Sequence, residues 1–303
     1  MMNNNPLFSV LIAQYNNVKY LQEAIDSVKS QTYKNWEIIL IDDASTDNSH
    51  ELYKLYEGDD QIKIYYNKKN KGCGYTKYRC AKMANGEICG FLDSDDVLLS
   101  DALELMINEH LKDENISLVY SKHIVCDENL IQKYVFPKTR NIPENNDYLH
   151  FHQYAIGHFV TFKRNLYNKT EGINPQFIRA VDQDLYLKME EVGSLVFINR
   201  PLYMYRIHKN GISTYDNGIK AFCWYVKVVD NACQRRGIVE ENENIVSEMI
   251  IDNFIEPLNQ EIKSLNQEIE LLNKKIYNPS LKDVFRGVYR YIHMFFNKRL
   301  FKS

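Results

Sequence analysis

Short apolar runs alternate with helical patterns over the first 130 residues. Residues 8–13 (FSVLIA) are continuously apolar, as expected of a strand buried on both faces. Val18, Leu21, Ile25 and Val28 then recur at helical spacing. Residues 36–41 (WEIILI), 62–66, 88–92 (ICGFL) and 117–126 read as further strands, with helices through Leu52, Leu55 and Tyr56, over 75–84 and over 98–111. This alternation predicts a parallel sheet layered with helices. Ligands of such sheets bind beyond the carboxyl ends of the strands, where this chain places Asp43 and the cluster Asp93-Ser94-Asp95-Asp96.

The pattern changes further along. Residues 130–150 are polar, with Pro137 and Pro143, and read as a loop. Helical periodicity returns over 182–192, strands are expected over 195–199 and 201–207, and a helix over 221–236 ends at Gly237. From Ile251 onward, isoleucine and leucine alternate at spacings of four and three, and LNQEIKS-LNQEIEL-LNKKIYN is a direct seven-residue repeat. Ile255, Ile262, Ile269 and Ile276 fall at a, and Leu258, Leu265 and Leu272 at d, the assignment that favours a parallel two-stranded coiled coil. An amphipathic helix packed on its own chain would need a wider stripe than two residues in seven. The chain is therefore expected to comprise a body over 1–237, with halves at about 1–127 and 128–237, an oligomerising helix over 238–278 and a tail over 279–303.

Composition sharpens this organisation. Of 303 residues, 45% are apolar and 25% charged, enough for a sizeable core and against wholesale disorder. The net charge of −3 argues against nucleic acid as a partner. That balance conceals two parts. Residues 281–303 hold six Lys/Arg and one Asp, a local +5, which leaves −8 on the other 280 residues. Aromatic and aliphatic residues interleave with the basic ones, a composition suited to a helix lying on an anionic membrane surface. No run approaches the roughly 18 apolar residues that span a bilayer, and no signal peptide is visible. The six cysteines form no metal spacing and read as reduced thiols of a cytoplasmic protein.

Four turns carry candidate chemistry. Asp93, Asp95 and Asp96 crowd within four residues after a buried strand, and mutual repulsion calls for a cation such as Mn2+ or Mg2+. A helix cap needs one Asp, not three. Asp43 stands at another strand end, where it could cap a helix or accept from a nucleobase or ribose. Asp182 opens a helical segment and could act as a general base. Arg206 and His208 could face a diphosphate. No Walker A, H-E-x-x-H or G-x-S-x-G pattern occurs. His150, His152 and His158 read as surface or core histidines.

Four segments, taken in order, resemble family 2 glycosyltransferases of the GT-A fold: FSVLIAQYNNVKYLQEAIDSVKSQTYKNWEIILIDDASTD, NKGCGYTKYRCAKMANGEICGFLDSDD, VDQDLYLKM and YRIHKNGIS. The resemblance covers about residues 7–215. It implies a Rossmann-like, mostly parallel α/β sheet flanked by helices, and a metal-dependent inverting transferase using a nucleotide sugar, with UDP favoured. It implies that Ala13, Gln14 and Tyr15 line the nucleotide site and that Asp43 accepts from the base. Lys77 or Arg79 is the basic residue near the nucleotide. Asp93, followed by Ser94, lies near the ribose, and Asp95, with His208, on the metal. Asp182 is the catalytic base, and Arg206 and His208 close over the diphosphate. Departures from the pattern are Ala13 for Thr or Ser, Val181 for Glu and Cys80 for Gly. The tail suggests a glycan or lipid-linked acceptor, as in bacterial surface polysaccharide synthesis, on the inner face of the membrane. Two rival readings are a sugar nucleotidyltransferase, which would need a triphosphate loop not found here, and a scaffold with an inactive transferase domain, which the intact carboxylates oppose.

Overall fold

A computed structural model describes residues 5–144, 146–151, 155–208, 218–238, 242–250 and 256–275. In chain order the elements are β1 (Phe8–Gln14), α1 (Val18–Lys29), β2 (Trp36–Asp42), α2 (Ser49–Tyr53), β3 (Ile62–Tyr66), α3 (Cys73–Met83), β4 (Ile88–Phe91), β5 (Val97–Leu98), α4 (Ala102–His110), β6 (Ile116–Cys126), β7 (Gln132–Val135), β8 (Val160–Lys163), α5 (Arg164–Tyr167), α6 (Val181–Glu190), β9 (Ser194–Arg206), α7 (Gly218–Arg236), α8 (Asn242–Ile250) and α9 (Glu256–Lys275). The strands form one sheet in the order β3-β2-β1-β4-β8-β6-β9-β5, with β7 paired to β6.

The first four strands in this order are mutually parallel, as the alternating pattern predicts. The sheet then becomes mixed, because β8 runs antiparallel to both β4 and β6 while β9 is parallel to β6. Helices cover both faces of the parallel half, which is why β1 and β2 are mostly apolar and buried along almost their whole length. Val10, Ile12, Ile38 and Leu40 join one core cluster with Leu21, Ile25 and Val28 of α1 and Leu103, Met106 and Ile107 of α4. The alternate residues Leu11, Ile39 and Ile41 are fully buried on the opposite face, and α3 packs against β1 and β2. Cys80 of α3 is buried with its thiol 3.4 Å from the Ile12 carbonyl. All six cysteines are free thiols.

Three expectations change. The segment over 130–150 is not wholly loop, because Gln132–Val135 pairs antiparallel with the end of β6 as an exposed hairpin arm. The two strands expected over 195–199 and 201–207 are one bent strand. Its register against β6 slips between Ser121–Ile198 and Lys122–Pro201, where proline has no N–H to give the ladder. The compact unit runs from Met1 to Val246, beyond the boundary expected at 237, and Ile245 of α8 is buried in it. The second unit, Ser247–Ser303, contains α9, a continuous helix on which Ile262, Leu265 and Ile269 are 45%, 37% and 46% exposed. Ile255, Ile276 and the basic tail over 279–303 lie outside the described residues.

Candidate functional site

The carboxyl ends of β1, β2, β3 and β4 lie along one edge of the sheet, since the register pairs Gln14 with Asp42 and Asp42 with Tyr66. Backbone strain collects there. Asn16, Ala44 and Ala180 adopt φ of 50°, 61° and 52°, a region non-glycine residues occupy at a cost. Each adjoins an expected site residue: Tyr15, Asp43 and the Val181-Asp182 pair.

The nucleotide-side residues divide into exposed and buried groups. Ala13 is partly exposed and Tyr15 is 47% exposed, so both can meet a ligand at the strand end. Gln14 cannot, because its side chain is buried and donates to Ser49 Oγ at 3.1 Å. Asp43 is also buried. Its oxygens accept from the Lys71 N–H at 2.9 Å, the Gly72 N–H at 2.8 Å and Asn67 Nδ2 at 2.6 Å. A carboxylate has about four acceptor positions, and three donors of the 67–72 loop occupy most of them. Asp43 thus anchors that loop beside the strand end where contact with the base is expected, with Gly72 supplying the required φ of 86°. Arg79 is likewise displaced from the site. It caps β3 by donating to the Tyr66 carbonyl at 3.0 Å and to Asn67 Oδ1.

Lys77, two residues earlier and so on the opposite side of α3, points into the site. Its ammonium lies 3.1 Å from Asp93 Oδ1. Both line a recess together with His158, Asp182 and an apolar wall that includes Phe91 and Phe162. Burial raises the Asp93 carboxyl, but Lys77 and, less strongly, His158 outweigh it and hold Asp93 below the ordinary carboxylate range. Burial lowers the Lys77 ammonium, and the charges of Asp93, the Cys73 thiol and Asp182 more than reverse that. Asp182 is in the first turn of α6, where the helix dipole favours a negative charge. Asp93 and Asp182, 89 positions apart in sequence, thus share one recess.

The rest of the acidic turn meets the end of β9. His208 Nε2 is 2.7 Å from Asp95 Oδ2. Ser94 is buried and accepts from Asn17 Nδ2 at 3.1 Å. Arg206 does not face the site. Its side chain is 2% exposed and donates to the Asp95 and Glu128 carbonyls and to Glu23 Oε2, so its expected contact with a diphosphate is replaced by an internal role. Asp96 is buried beneath the turn, and burial, then repulsion from Asp95 and Asp93, raises its carboxyl well above the usual range.

Asp95 and His208 offer a carboxylate oxygen and an imidazole nitrogen directed at one another, a donor set that suits a divalent ion of the Mn2+ type. Among the described residues no third His, Cys, Asp or Glu joins them. Two protein donors leave several positions for phosphate oxygens and water, so the residues fit a cation carried with a diphosphate. No described helix is long and apolar enough to cross a membrane.

Comparison with known proteins assigns the architecture. The model of glycosyl transferase family 2 matches residues 9–170, more than half of the chain. The chain belongs to this family. Hyaluronan synthase of Pasteurella multocida is 33% identical over 244 residues, 80% of this chain and 24% of that protein. The Escherichia coli UDP-Glc:alpha-D-GlcNAc-diphosphoundecaprenol beta-1,3-glucosyltransferase WfgD is 36% identical over 134 residues, 44% of this chain and 52% of that one. The chain thus spans between a quarter and about half of the length of these relatives. S. aureus TarS in complex with UDP-GlcNAc matches 82% of this chain and 72% of its own with a TM-score of 0.63 at 18% identity, which shows a shared GT-A fold. Within this family 2 framework, sequence reasoning left three site residues unassigned. His158 read as surface or core, yet it lines the recess with its ring stacked 5.2 Å from both Tyr203 and Tyr205. Asp96 and Tyr203 bond one another beneath the acidic turn. Asp96 stands inside the second motif segment and Tyr203 just before the fourth, whereas His158 lies far from all four and only contacts across the fold bring it in.

Proposed function

We propose that this chain is a metal-dependent inverting glycosyltransferase. It moves a sugar from a nucleotide-sugar donor, a UDP-sugar, to a hydroxyl of a glycan or lipid-linked acceptor in bacterial surface polysaccharide synthesis. The observation that carries this reading is the convergence of Lys77, Asp93 and Asp182 on one recess at the carboxyl edge of the parallel strands. The printed activities of the relatives support a glycan acceptor, and a diphosphoundecaprenol-linked acceptor in one case. The UDP-GlcNAc complex of the structural neighbour supports the donor class.

The residues take these parts. Tyr15 offers an exposed ring at the strand end for a base to stack on, and Ala13 a strand-end backbone. Asp43 shapes the base side of the site through the 67–72 loop. Asp93, held ionised by Lys77, accepts from the ribose. Ser94 ties the turn to the start of α1. Asp95 and His208 would hold Mn2+ or Mg2+, which when bound offsets charge developing on the leaving diphosphate. Asp182 takes the proton of the acceptor hydroxyl as it attacks the anomeric carbon opposite the diphosphate. One displacement inverts that centre, so an α-linked donor yields a β-linked product. The basic-aromatic stretch over 279–303 would keep this cytoplasmic enzyme on the inner face of the membrane, and the heptads of α9 would join two copies.

The test is Asp182→Asn, which keeps shape and removes the base. Transfer should fall by about a hundredfold or more, while UDP affinity, measured by calorimetry, stays within about twofold of the parent chain. Retained turnover would reject Asp182 as the base. A thermal-shift panel of nucleotide sugars with Mn2+ identifies base and sugar together, and stabilisation by no UDP-sugar would reject the donor class.

A further inference from the structure

Beneath the acidic turn lie two ionisable residues that solvent barely reaches. Asp96 is 1% exposed and the Arg206 side chain 2%. Asp96 Oδ1 accepts from the Arg206 backbone N–H at 2.6 Å, and Asp96 Oδ2 from the Tyr203 hydroxyl at 2.8 Å. That hydroxyl in turn accepts from the Asp93 N–H at 3.2 Å. The Arg206 guanidinium spreads its donors over three segments. Nε reaches the Asp95 carbonyl at 2.5 Å, Nη1 the Glu128 carbonyl at 2.6 Å, and Nη2 Glu23 Oε2 of α1 at 2.5 Å. Its flat face lies 4.3 Å from the Tyr20 ring centroid, and the same ring packs 5.1 Å from the His208 imidazole. The strand pairing adds a backbone tie, since Val97 and Leu98, just past the turn, pair with Met204 and Tyr203.

We infer that Asp96 and Arg206 are positioning residues whose buried brace fixes the end of β9 against the acidic turn, so that His208 meets Asp95. This rests on the reading of Asp95 and His208 as the cation pair. Neither brace residue can contact substrate from its buried position, and a buried polar or charged group is retained only where partners satisfy it. Every backbone and side-chain group they bind belongs to the turn, to α1, or to a strand or hairpin that ends beside His208. A planar guanidinium reaches three acceptors at fixed angles, which an ammonium cannot.

The test uses the full chain and the variants Arg206→Lys, Asp96→Asn and Glu23→Gln, each first shown to be folded by circular dichroism. Glu23 is half exposed, so its substitution keeps a folded variant available should the buried ones fail. Two readouts separate positioning from mere stability. Mn2+ affinity with UDP present, followed by the paramagnetic resonance of the free ion, should weaken about tenfold in Arg206→Lys and about threefold in Glu23→Gln, with transfer recovering at high Mn2+. Carbethoxylation of His208 by diethyl pyrocarbonate without metal, mapped by mass spectrometry, should rise at least threefold in Arg206→Lys, because His208 is now only 7% exposed. Folded variants with parental values in both readouts would overturn the brace. If Asp95→Asn and His208→Ala also leave Mn2+ affinity unchanged, the cation reading fails instead, and the protection of His208 alone decides on the brace.

Discussion

Glu37 sits at the amino-terminal end of the parallel strands, away from the recess, and accepts from Ser9 Oγ at 2.6 Å, the Asn85 N–H at 2.7 Å and Lys63 Nζ at 2.8 Å. Burial works against its charge, but these donors win and hold the carboxyl at about 2, against 4.5 for the free side chain. The sign follows from linkage. A carboxyl whose value falls on folding adds stability above its unfolded value and loses it as pH falls toward the folded one. Glu37 therefore contributes on the order of 3 kcal/mol above pH 5, and this fades between about pH 4.5 and 2. Glu37→Gln should lower unfolding free energy at pH 7 by about 1–3 kcal/mol and by little near pH 2.5. Denaturant titrations of both proteins across that range check it; a gap that stays constant with pH would refute the assignment. At the site the same physics is arranged differently, because Asp93 is held charged by one lysine while Asp96, beside like charges, is pushed the other way.

The first turn of α3 and the loop before α6 approach more closely than a side chain allows. A Cβ on Gly74 would lie 2.1 Å from the Phe177 carbonyl and 2.9 Å from that of Asn174, and the Gly74 N–H already donates to Phe177 at 3.1 Å. This contact couples the helix that carries Lys77 to the loop that delivers Asp182. Gly74→Ala should cost about 1–3 kcal/mol and lower kcat more than it weakens UDP binding; equal stability and kcat would show that the approach imposes nothing. Local pattern foretold α3 and α6 individually, and the apolar runs of β1 to β4 with their helices, since periodicity reports burial within a segment. It could not foretell that β9 is one strand bent at Pro201, or that β7 leaves the loop as a hairpin arm, because pairing partners decide both. The site divides the same way. Asp93, Asp95 and Asp182 stand at the ends of elements and are legible from that position. The burial of Arg206, Gln14 and Asp43, and the use of Lys77 rather than Arg79, depend on contacts across distant segments, and so does the place of His158.

At the scale of the whole molecule, α9 poses a problem that one chain does not solve. Its described side chains are exposed around the whole circumference, including Ile262, Leu265 and Ile269. These are the a, d and a positions of the repeat, and each isoleucine or leucine taken from water contributes about 1.5–3 kcal/mol. A second copy offers an identical seam. The flanking positions select its direction. In a parallel pair each g residue meets e of the next heptad, which brings Glu261 to Asn266 and Glu268 to Asn273 of the other copy, a charge facing a neutral amide. In an antiparallel pair g faces g, and Glu261 and Glu268 repel across the seam. Light scattering of the full chain should therefore give twice the monomer mass, and Ile262→Glu combined with Ile269→Glu should return it to one. With Cys223→Ser removing the exposed native thiol, Leu265→Cys should form a disulfide between copies under oxidation, because d meets d only in the parallel arrangement. A monomer at micromolar concentration would refute the pairing, three copies would refute the two-stranded form, and a dimer that fails to cross-link would refute its direction.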